Sequence, residues 1–452
     1  MPSVLRQTVA PAYLLLCLIL GGSAQGVWFN LFLQLVGLAI IAWAAATPSG
    51  EQLTRSATQL LLIVVLALAV VALQLIPLPA SFWTQLSGRA EFADGYRVLG
   101  MAVPPLPISL APYDSLATLV TIIPALAMLC AIVRLKAYSP GWLALSLLAA
   151  TFAGILLGAL QVASGDPMNS AWYLYGFTNW GFAVGFFANA NHMAILLVIA
   201  LPFLAALLAS TRGGNVQRYS AAVALATGGA VVIFVGIALN RSLAAYGLAV
   251  PAFIASLLIV IPGRSRARRW LAVASGALLL AAVAALALSP VGERNLGSSN
   301  SIQSREVINA TTARGIVKFL PWGTGLGTFR PVYKLFEDHD RIQPTIVNHA
   351  HNDYAELALE LGAPGIALIV LFIVWWGAAA LRVWCLPDAG PYARAASIAT
   401  AALLVHSLVD YPLRTAALST CFAMCLGLLV ERRAPRAAES SDLWPTRHLV
   451  LK

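Results

Sequence analysis

The sequence predicts an all-α, polytopic membrane protein with about twelve transmembrane helices. Of its 452 residues, 60% are hydrophobic and only 10% are charged, whereas soluble domains carry about 25% charged residues. The apolar residues fall in blocks long enough to cross a hydrocarbon core of roughly 30 Å. The positive charges concentrate in short loops between these blocks. Together these observations exclude a soluble globular protein.

Nine predicted helices precede a long polar segment and three follow it. The first block, after Arg6, also resembles a signal peptide, but the second block begins almost at once, which favours an uncleaved first span. The twelve spans are expected near residues 9–24, 28–46, 58–77, 115–134, 141–163, 191–209, 219–239, 243–262, 270–289, 363–383, 394–411 and 414–431.

Loop charges predict the orientation of these spans. With both termini cytoplasmic, the inner loops hold most of the basic residues, including four arginines within residues 264–269. This asymmetry follows the positive-inside rule. The net charge of +10 therefore reflects topology, and no nucleic-acid partner is expected.

The domain organisation follows from the same pattern. Residues 1–289 are expected to form nine transmembrane helices, and 290–362 one large periplasmic helical loop between spans nine and ten. Residues 363–431 then form three further helices, and 432–452 a cytoplasmic tail. Within the loop the sequence predicts a helix at Ser304–Phe319, a turn at Pro321–Thr328, a short helix at Phe329–Glu337 and an amphipathic helix at Asn348–Leu361.

Polar residues are rare inside the predicted spans and cluster at their outer ends. A pump or ion-coupled transporter keeps ionisable residues near the midplane, so this distribution favours a site at the outer membrane surface. A transporter or flippase remains the alternative from another functional class. The clustered residues are Asn189, Asn191, His192, Asn240, Arg241, His406, Asp410 and Arg414.

Three features of the predicted outer loops each allow two interpretations. Arg241 is equally compatible with a solvated turn arginine and with a phosphate clamp. The glycine run Gly323–Gly327 is expected to be a tight turn rather than a nucleotide loop. His349, His351 and Asp353 invite a metal site, but if Asn348 caps a helix the two histidines point about 200° apart. We therefore expect a catalytic or hydrogen-bonding histidine and no metal.

Several segments resemble the O-antigen ligase and polymerase superfamily of bacterial membrane glycosyltransferases. The most specific is HAHNDYAELALELGAPG at His349–Gly365. Weaker similarities follow the family's order: NANHMA at Asn189–Ala194, NRS at Asn240–Ser242, PWGTGLGTF at Pro321–Phe329 and HSLVDYPLR at His406–Arg414.

This resemblance implies a GT-C-like helical fold in the bacterial inner membrane with a periplasmic active site. It implies transfer of a glycan from undecaprenyl diphosphate to a lipid A-core sugar or to another lipid-linked glycan, without cofactor or metal. His351 matches the family's histidine and Arg241 its outer arginine, proposed to hold the diphosphate. Arg305 and Arg314 are candidates for the same role. The supporting residues are expected to be Asn189, Asn191, His192, His349, Asn352, Asp353, His406, Asp410 and Arg414.

The sequence does not decide which molecule accepts the glycan. A ligase, a polymerase and a protein O-oligosaccharyltransferase can all share these residues. The run at His406–Arg414 favours a polymerase or a ligase-like relative over a strict lipid A-core ligase.

Overall fold

A computed structural model describes residues 3–48, 52–212, 215–261, 263, 266–288, 299–338, 346–386 and 389–431. Within these ranges the regular elements are helices, and the one β-type pairing is an isolated bridge between Leu78 and Leu106. The all-α prediction is confirmed. The predicted tail at 432–452 and the start of the predicted loop at 290–298 lie outside the described residues.

The first half of the chain forms helices α1 to α9. The α8 helix continues into a π-helical turn at Cys130–Arg134, and the break between α7 and α8 coincides with Pro124. The bounds are α1 Ser3–Gln7, α2 Val9–Leu20, α3 Val27–Ala46, α4 Arg55–Gln74, α5 Ala80–Trp83, α6 Ala90–Val98, α7 Pro112–Thr121, α8 Ile123–Leu129 and α9 Pro140–Ala163.

The second half forms helices α10 to α18. Two short 3₁₀ turns, Pro167–Asn169 and Pro412–Arg414, lie in loops. The bounds are α10 Ala190–Ser210, α11 Val216–Asn240, α12 Leu243–Val260, α13 Arg266–Leu288, α14 Ser299–Phe319, α15 Phe329–Tyr333, α16 Asp353–Cys385, α17 Pro391–His406 and α18 Ala416–Val430.

Eight helical segments in the described part are long and apolar enough to cross a membrane. Two shorter apolar segments, Val4–Leu20 and Ala416–Val430, accompany them. The eight are Val27–Ala46, Arg55–Gln74, Pro112–Arg134, Pro140–Ala163, Ala190–Ser210, Val216–Asn240, Leu243–Val260 and Asp353–Cys385. The chain is thus a multi-span membrane protein, but the predicted number of twelve spans is not confirmed.

The α10 helix lies at the centre of the bundle. It packs against α9, α11, α12 and α17, and its side chains are buried almost continuously from Ala190 to Phe203. An apolar helix that is buried all round cannot face lipid, so α10 is a core element. Its first residues therefore have a fixed position at one end of the bundle.

A layer of loops and short helices covers that end. The α14 and α15 helices pack on the first half of α16 through Phe319, Phe329 and Leu359. Arg89, only 1% exposed, donates a hydrogen bond to the carbonyl of Gly323 at 2.9 Å and stacks over Phe319. Burial lowers the pKa of Arg89 to about 10. The guanidinium therefore stays charged at neutral pH and fixes the predicted glycine turn.

That turn is confirmed and meets a kink in α16. Gly323, Gly325 and Gly327 all have positive φ angles, which only glycine adopts without strain. Gly362 also lies outside helical geometry, at φ 64° and ψ −147°. The Gly325 amide donates to the carbonyl of Glu360 at 2.8 Å, so the turn satisfies a carbonyl next to the kink.

Two predicted helix boundaries are wrong. The helix expected at 394–411 ends at His406, so Asp410 lies in a loop; Pro412 cannot continue a helix and disfavours it at the preceding residue. The helix expected from Asn348 begins at Asp353. Asn352 is its cap, since its side-chain oxygen accepts hydrogen bonds from the amides of Tyr354 and Ala355 at 3.0 Å. Both histidines of the HAH segment therefore precede the helix, which removes the predicted 200° separation.

Candidate functional site

A polar-lined cavity of about 450 Å³ lies where α10, α16 and α18 begin and where α2 and α17 end. We call it the histidine cavity. Its lining residues are Gly22, Ser23, Ala24, Gln25, Phe177, Thr178, Asn179, Ala188, Asn189, Asn191, His192, Arg305, Asn348, His349, His351, Tyr411, Arg414 and Thr415. Seven of the predicted site residues are thereby brought together: His351, Arg305, Asn189, Asn191, His192, His349 and Arg414.

His351 is held by a buried carboxylate. It has a left-handed backbone, with φ 51°, and its Nδ1 lies 3.2 Å from Oδ1 of Asp410. Burial alone would raise the pKa of Asp410. The hydrogen bond from His351 and neighbouring positive groups outweigh this effect and hold that pKa well below its usual range. The ionised carboxylate accepts the Nδ1 proton, so Nε2 is the basic nitrogen of a neutral His351.

Further contacts fix the Asp410 carboxylate in place. The Asn189 amide donates to its Oδ2 at 3.3 Å, and the Tyr411 backbone amide donates to its Oδ1 at 3.0 Å. His406 lies 4.0 Å away, beyond hydrogen-bond distance, and is fully buried. Asp410 and His406 do not line the cavity; they lie behind His351.

Tyr411 was not singled out from the sequence, although it lies between the predicted residues Asp410 and Arg414. Its ring centroid lies 4.1 Å from that of His349, 5.1 Å from that of His192 and 5.1 Å from that of His351. Two signals were available, its place in the segment HSLVDYPLR and its position before Pro412.

His349 belongs to a second buried network. Its Nδ1 lies 2.9 Å from Oε1 of Glu356, while the amide of Ala350 donates to Oε2 of the same carboxylate at 2.9 Å. Arg414 contacts Glu356 at 3.4 Å, Glu360 at 3.1 Å and Asp353 at 3.6 Å. These carboxylates lie on one face of α16, as the i, i+3 spacing of Asp353 and Glu356 predicts.

Arg414 carries the charge that balances these acids. Burial alone would lower the pKa of Arg414, but the three carboxylates outweigh burial and raise that pKa above its ordinary value. Asp353 also accepts a hydrogen bond from the Ser407 hydroxyl at 2.9 Å. Arg414, Asp353 and Ser407 therefore join the start of α16 to the loop that carries Asp410.

The three predicted diphosphate arginines have different positions. Arg305 of α14 lines the histidine cavity. Arg314 does not; it donates to the carbonyl of Phe336 at 2.9 Å and to the Thr311 hydroxyl at 3.1 Å. Arg241 is exposed, has φ 60° and is not among the lining residues.

The turn that carries Arg241 is nevertheless tied to the cavity wall. Asn240, fully buried, donates to the carbonyls of Ala183 and Ala190 at 2.8 Å each. The Ser242 hydroxyl donates to the side-chain oxygen of Asn191 at 2.8 Å. Arg241 therefore lies between two residues bonded to the segment that begins α10.

Two further segments, around Gln25 and Phe177, line the cavity, and none of their residues was predicted as a site residue. The Gln25 amide donates to the carbonyl of Phe177 at 2.6 Å, and the Phe177 amide donates to the side-chain oxygen of Gln25 at 2.9 Å. This pair of bonds fixes the backbone of Phe177, whose side chain remains 84% exposed. The aromatic composition of residues 164–190 was a signal for this loop; nothing local marked Gln25.

Within the described ranges, no group of three or more His, Cys, Asp or Glu side chains could hold a metal ion. The polar groups that line the cavity are imidazoles, amides, aliphatic hydroxyls, a phenol and guanidinium groups. They can accept a proton, donate hydrogen bonds and bind an anion.

The O-antigen ligase family model matches residues 228–370. The match covers about a third of the chain and includes Arg241, α14 and the segment with His349 and His351. The resemblance identified from the sequence is thereby confirmed. No curated protein matches the chain.

Proposed function

Since residues 228–370 of this membrane protein match the O-antigen ligase family model, we propose that it transfers an undecaprenyl-diphosphate-linked glycan to an acceptor hydroxyl at the periplasmic membrane surface. The observation that carries the proposal is that His351, bound to the Asp410 carboxylate, shares one cavity with Arg305. A base and a cation are the two groups that such a transfer needs.

In the proposed reaction the acceptor oxygen attacks the anomeric carbon of the donor sugar. His351 accepts the hydroxyl proton on Nε2 while Asp410 stabilises the imidazolium that forms. The bond between the anomeric carbon and the diphosphate oxygen breaks, and its electron pair leaves with the diphosphate. A single displacement of this kind inverts the configuration at the anomeric carbon.

Arg305 is proposed to stabilise the charge that develops on the departing diphosphate. A guanidinium suits this role because its planar set of donors matches phosphate oxygens. Arg241 is proposed as a second phosphate contact from the neighbouring turn, and Arg314 as a structural residue of α14. Phe177 and the amide groups beside it are proposed to contact sugar rings.

The direct test is His351→Ala in proteoliposomes that contain an undecaprenyl-diphosphate-linked glycan. We expect no transfer product with normal amounts of folded protein in size-exclusion chromatography. Tyr113→Ala is the matched control, because that side chain is 87% exposed and does not line the cavity. Wild-type amounts of product from His351→Ala would rule out the proposed base.

The identity of the acceptor is tested in the same assay with three acceptors. Product on lipid A-core identifies a ligase, whereas lengthening of a second lipid-linked glycan identifies a polymerase. Transfer to a protein acceptor alone identifies an oligosaccharyltransferase. Accumulation of donor in the opposite leaflet without any transfer would support a flippase instead.

A further inference from the structure

A second cavity lies far from the histidine cavity. It is a groove of about 290 Å³ between α12, α13, α16 and α17, lined mainly by apolar side chains that include Trp376 and Trp384. The α16 helix begins and α17 ends beside the histidine cavity, whereas the groove uses the last third of α16 and the middle of α17. The groove therefore lies toward the opposite end of the bundle.

Two arginines flank the tryptophan at the end of this groove. The guanidinium carbons of Arg268 and Arg394 lie 6.0 Å and 5.7 Å from the centre of the Trp384 ring. The Trp384 indole donates to the Ser397 hydroxyl at 2.9 Å, which fixes the ring. Each arginine lies about one helical turn before the first groove-lining residue of its own helix.

The electrostatics of this end favour an anion. Arg268 and Arg394 are like charges near one ring, and both lie in the first turn of their helices, where the backbone adds positive partial charge. The hydrogen bond of Arg394 goes to the neutral carbonyl of Leu386, at 3.3 Å. Its Nε is buried and has no hydrogen-bond partner among the described residues. Arg268 donates a hydrogen bond to the carbonyl of Ile261. A phosphate near these groups would satisfy the Arg394 donor.

We propose that this groove holds an anionic phospholipid, with its phosphate between Arg268 and Arg394 and one acyl chain along the apolar lining. A glycerophospholipid of the membrane combines the two chemistries that the site presents, an anion and a hydrocarbon chain. The glycan donor is a poor fit, because its diphosphate must reach His351. The 16-residue α17 spans about 24 Å between the two ends.

The first test is native mass spectrometry of the full chain, delipidated in detergent and offered equal amounts of phosphatidylglycerol and phosphatidylethanolamine with identical acyl chains. Wild type is expected to retain one phosphatidylglycerol in preference. The double variant Arg268→Gln and Arg394→Gln is expected to lose this preference by about tenfold or more, because both charged donors to the phosphate are removed. Arg218→Gln, an exposed arginine at the same end, should behave as wild type.

A second variant tests the groove without changing charge. A side chain added at Gly276 meets no atom within 4 Å, so Gly276→Leu fills the groove without a clash and should reduce lipid retention. Gly377→Leu is the control, because Gly377 has the same open surroundings but does not line the groove. If the double arginine variant fails to fold, Gly276→Leu decides the question alone.

Three results would overturn the proposal. One is equal retention of the two phospholipids by wild type, and another is unchanged preference in both groove variants. The third is displacement of phosphatidylglycerol by equimolar undecaprenyl phosphate, which would assign the groove to the carrier lipid. None of these results depends on transfer activity, so the lipid site and the proposed reaction succeed or fail separately.

Discussion

Tyr411 connects the three histidines that line the cavity. Burial, with the Asp410 charge adding to it, raises the pKa of Tyr411 to about 12, so the phenol is neutral at physiological pH. Its ring packs on His349 and contacts His192 and His351 edge-on. One neutral ring thus fixes the spacing between the candidate base and its neighbours without adding charge.

Asp410→Asn tests how His351 is held. The amide cannot accept the Nδ1 proton as an ionised carboxylate does, so the basic tautomer of His351 loses its support. We expect kcat to fall about 10²-fold or more, the usual contribution of general-base catalysis, with a smaller change in KM. Asp94→Asn, at an exposed carboxylate, is the control. Unchanged kcat in Asp410→Asn would show that this carboxylate does not support the base.

Arg305 and Arg314 are a matched pair on α14, since only Arg305 lines the cavity. We expect Arg305→Gln to reduce kcat/KM for the donor about 10²-fold, as loss of one charge-stabilising group does. Arg305→Lys should restore part of it. Arg314→Gln should leave donor kinetics near wild type. Steady-state kinetics with varied donor decide this, and equal defects in the two glutamine variants would contradict the assignment.

At the scale of elements, the kink at Gly362 divides α16 into two parts with different roles. The part before the kink carries Asp353, Glu356 and Glu360 against Arg414, and the part after it contributes Trp376 and Trp384 to the membrane-spanning helix. The glycine turn at 323–327 fits into this kink. A straight helix would separate that turn from α16.

Gly362→Ala is expected to prevent stable folding. The new Cβ would lie 2.3 Å from the carbonyl oxygen of Pro321, and the positive φ strains any other residue. We expect a loss of several kcal/mol, seen as a lower melting temperature or as loss of monodisperse protein in detergent. Gly377→Ala, with open space around its Cβ, should be neutral or slightly stabilising. Equal melting temperatures for the two variants would contradict the role of the kink.

At the scale of the whole molecule, the histidine cavity exists only when distant segments pack together. Its walls come from the turn after α2, the loop before α10, α14, the segment before α16 and the turn before α18. Arg414 joins two of these segments through its three carboxylates. Stability and site geometry are therefore coupled through one side chain.

Arg414→Met tests this coupling. It leaves three buried carboxylates without their cation, which costs about 3–5 kcal/mol in comparable cases. The loss should be largest at neutral pH and should shrink as the pH is lowered, because protonation neutralises the acids. Thermal melting of both proteins across pH measures it. A pH-independent difference would show that the network contributes packing rather than charge.

Much of the fold and part of the candidate site could be predicted from composition and local sequence pattern. Apolar blocks predict membrane helices because backbone polar groups in lipid must be satisfied within a helix. Four of the polar residues predicted at helix ends line the cavity, namely Asn189, Asn191, His192 and Arg414, and three candidates from the predicted loop, Arg305, His349 and His351, line it with them. The glycine run was predicted to be a turn, because glycine tolerates positive φ angles.

The sequence by itself determined the fold class, a resemblance to the O-antigen ligase superfamily and a set of candidate side chains. Only the tertiary structure decided which of them meet: Asp410 with His351, Arg305 rather than Arg314 at the cavity, and Tyr411 among the histidines. Spacing along one helix determines which residues share its face, whereas a cavity wall depends on how separate segments pack. The Gln25–Phe177 contact belongs to this second kind of information, because its partners lie 152 residues apart in the chain and meet only through that packing.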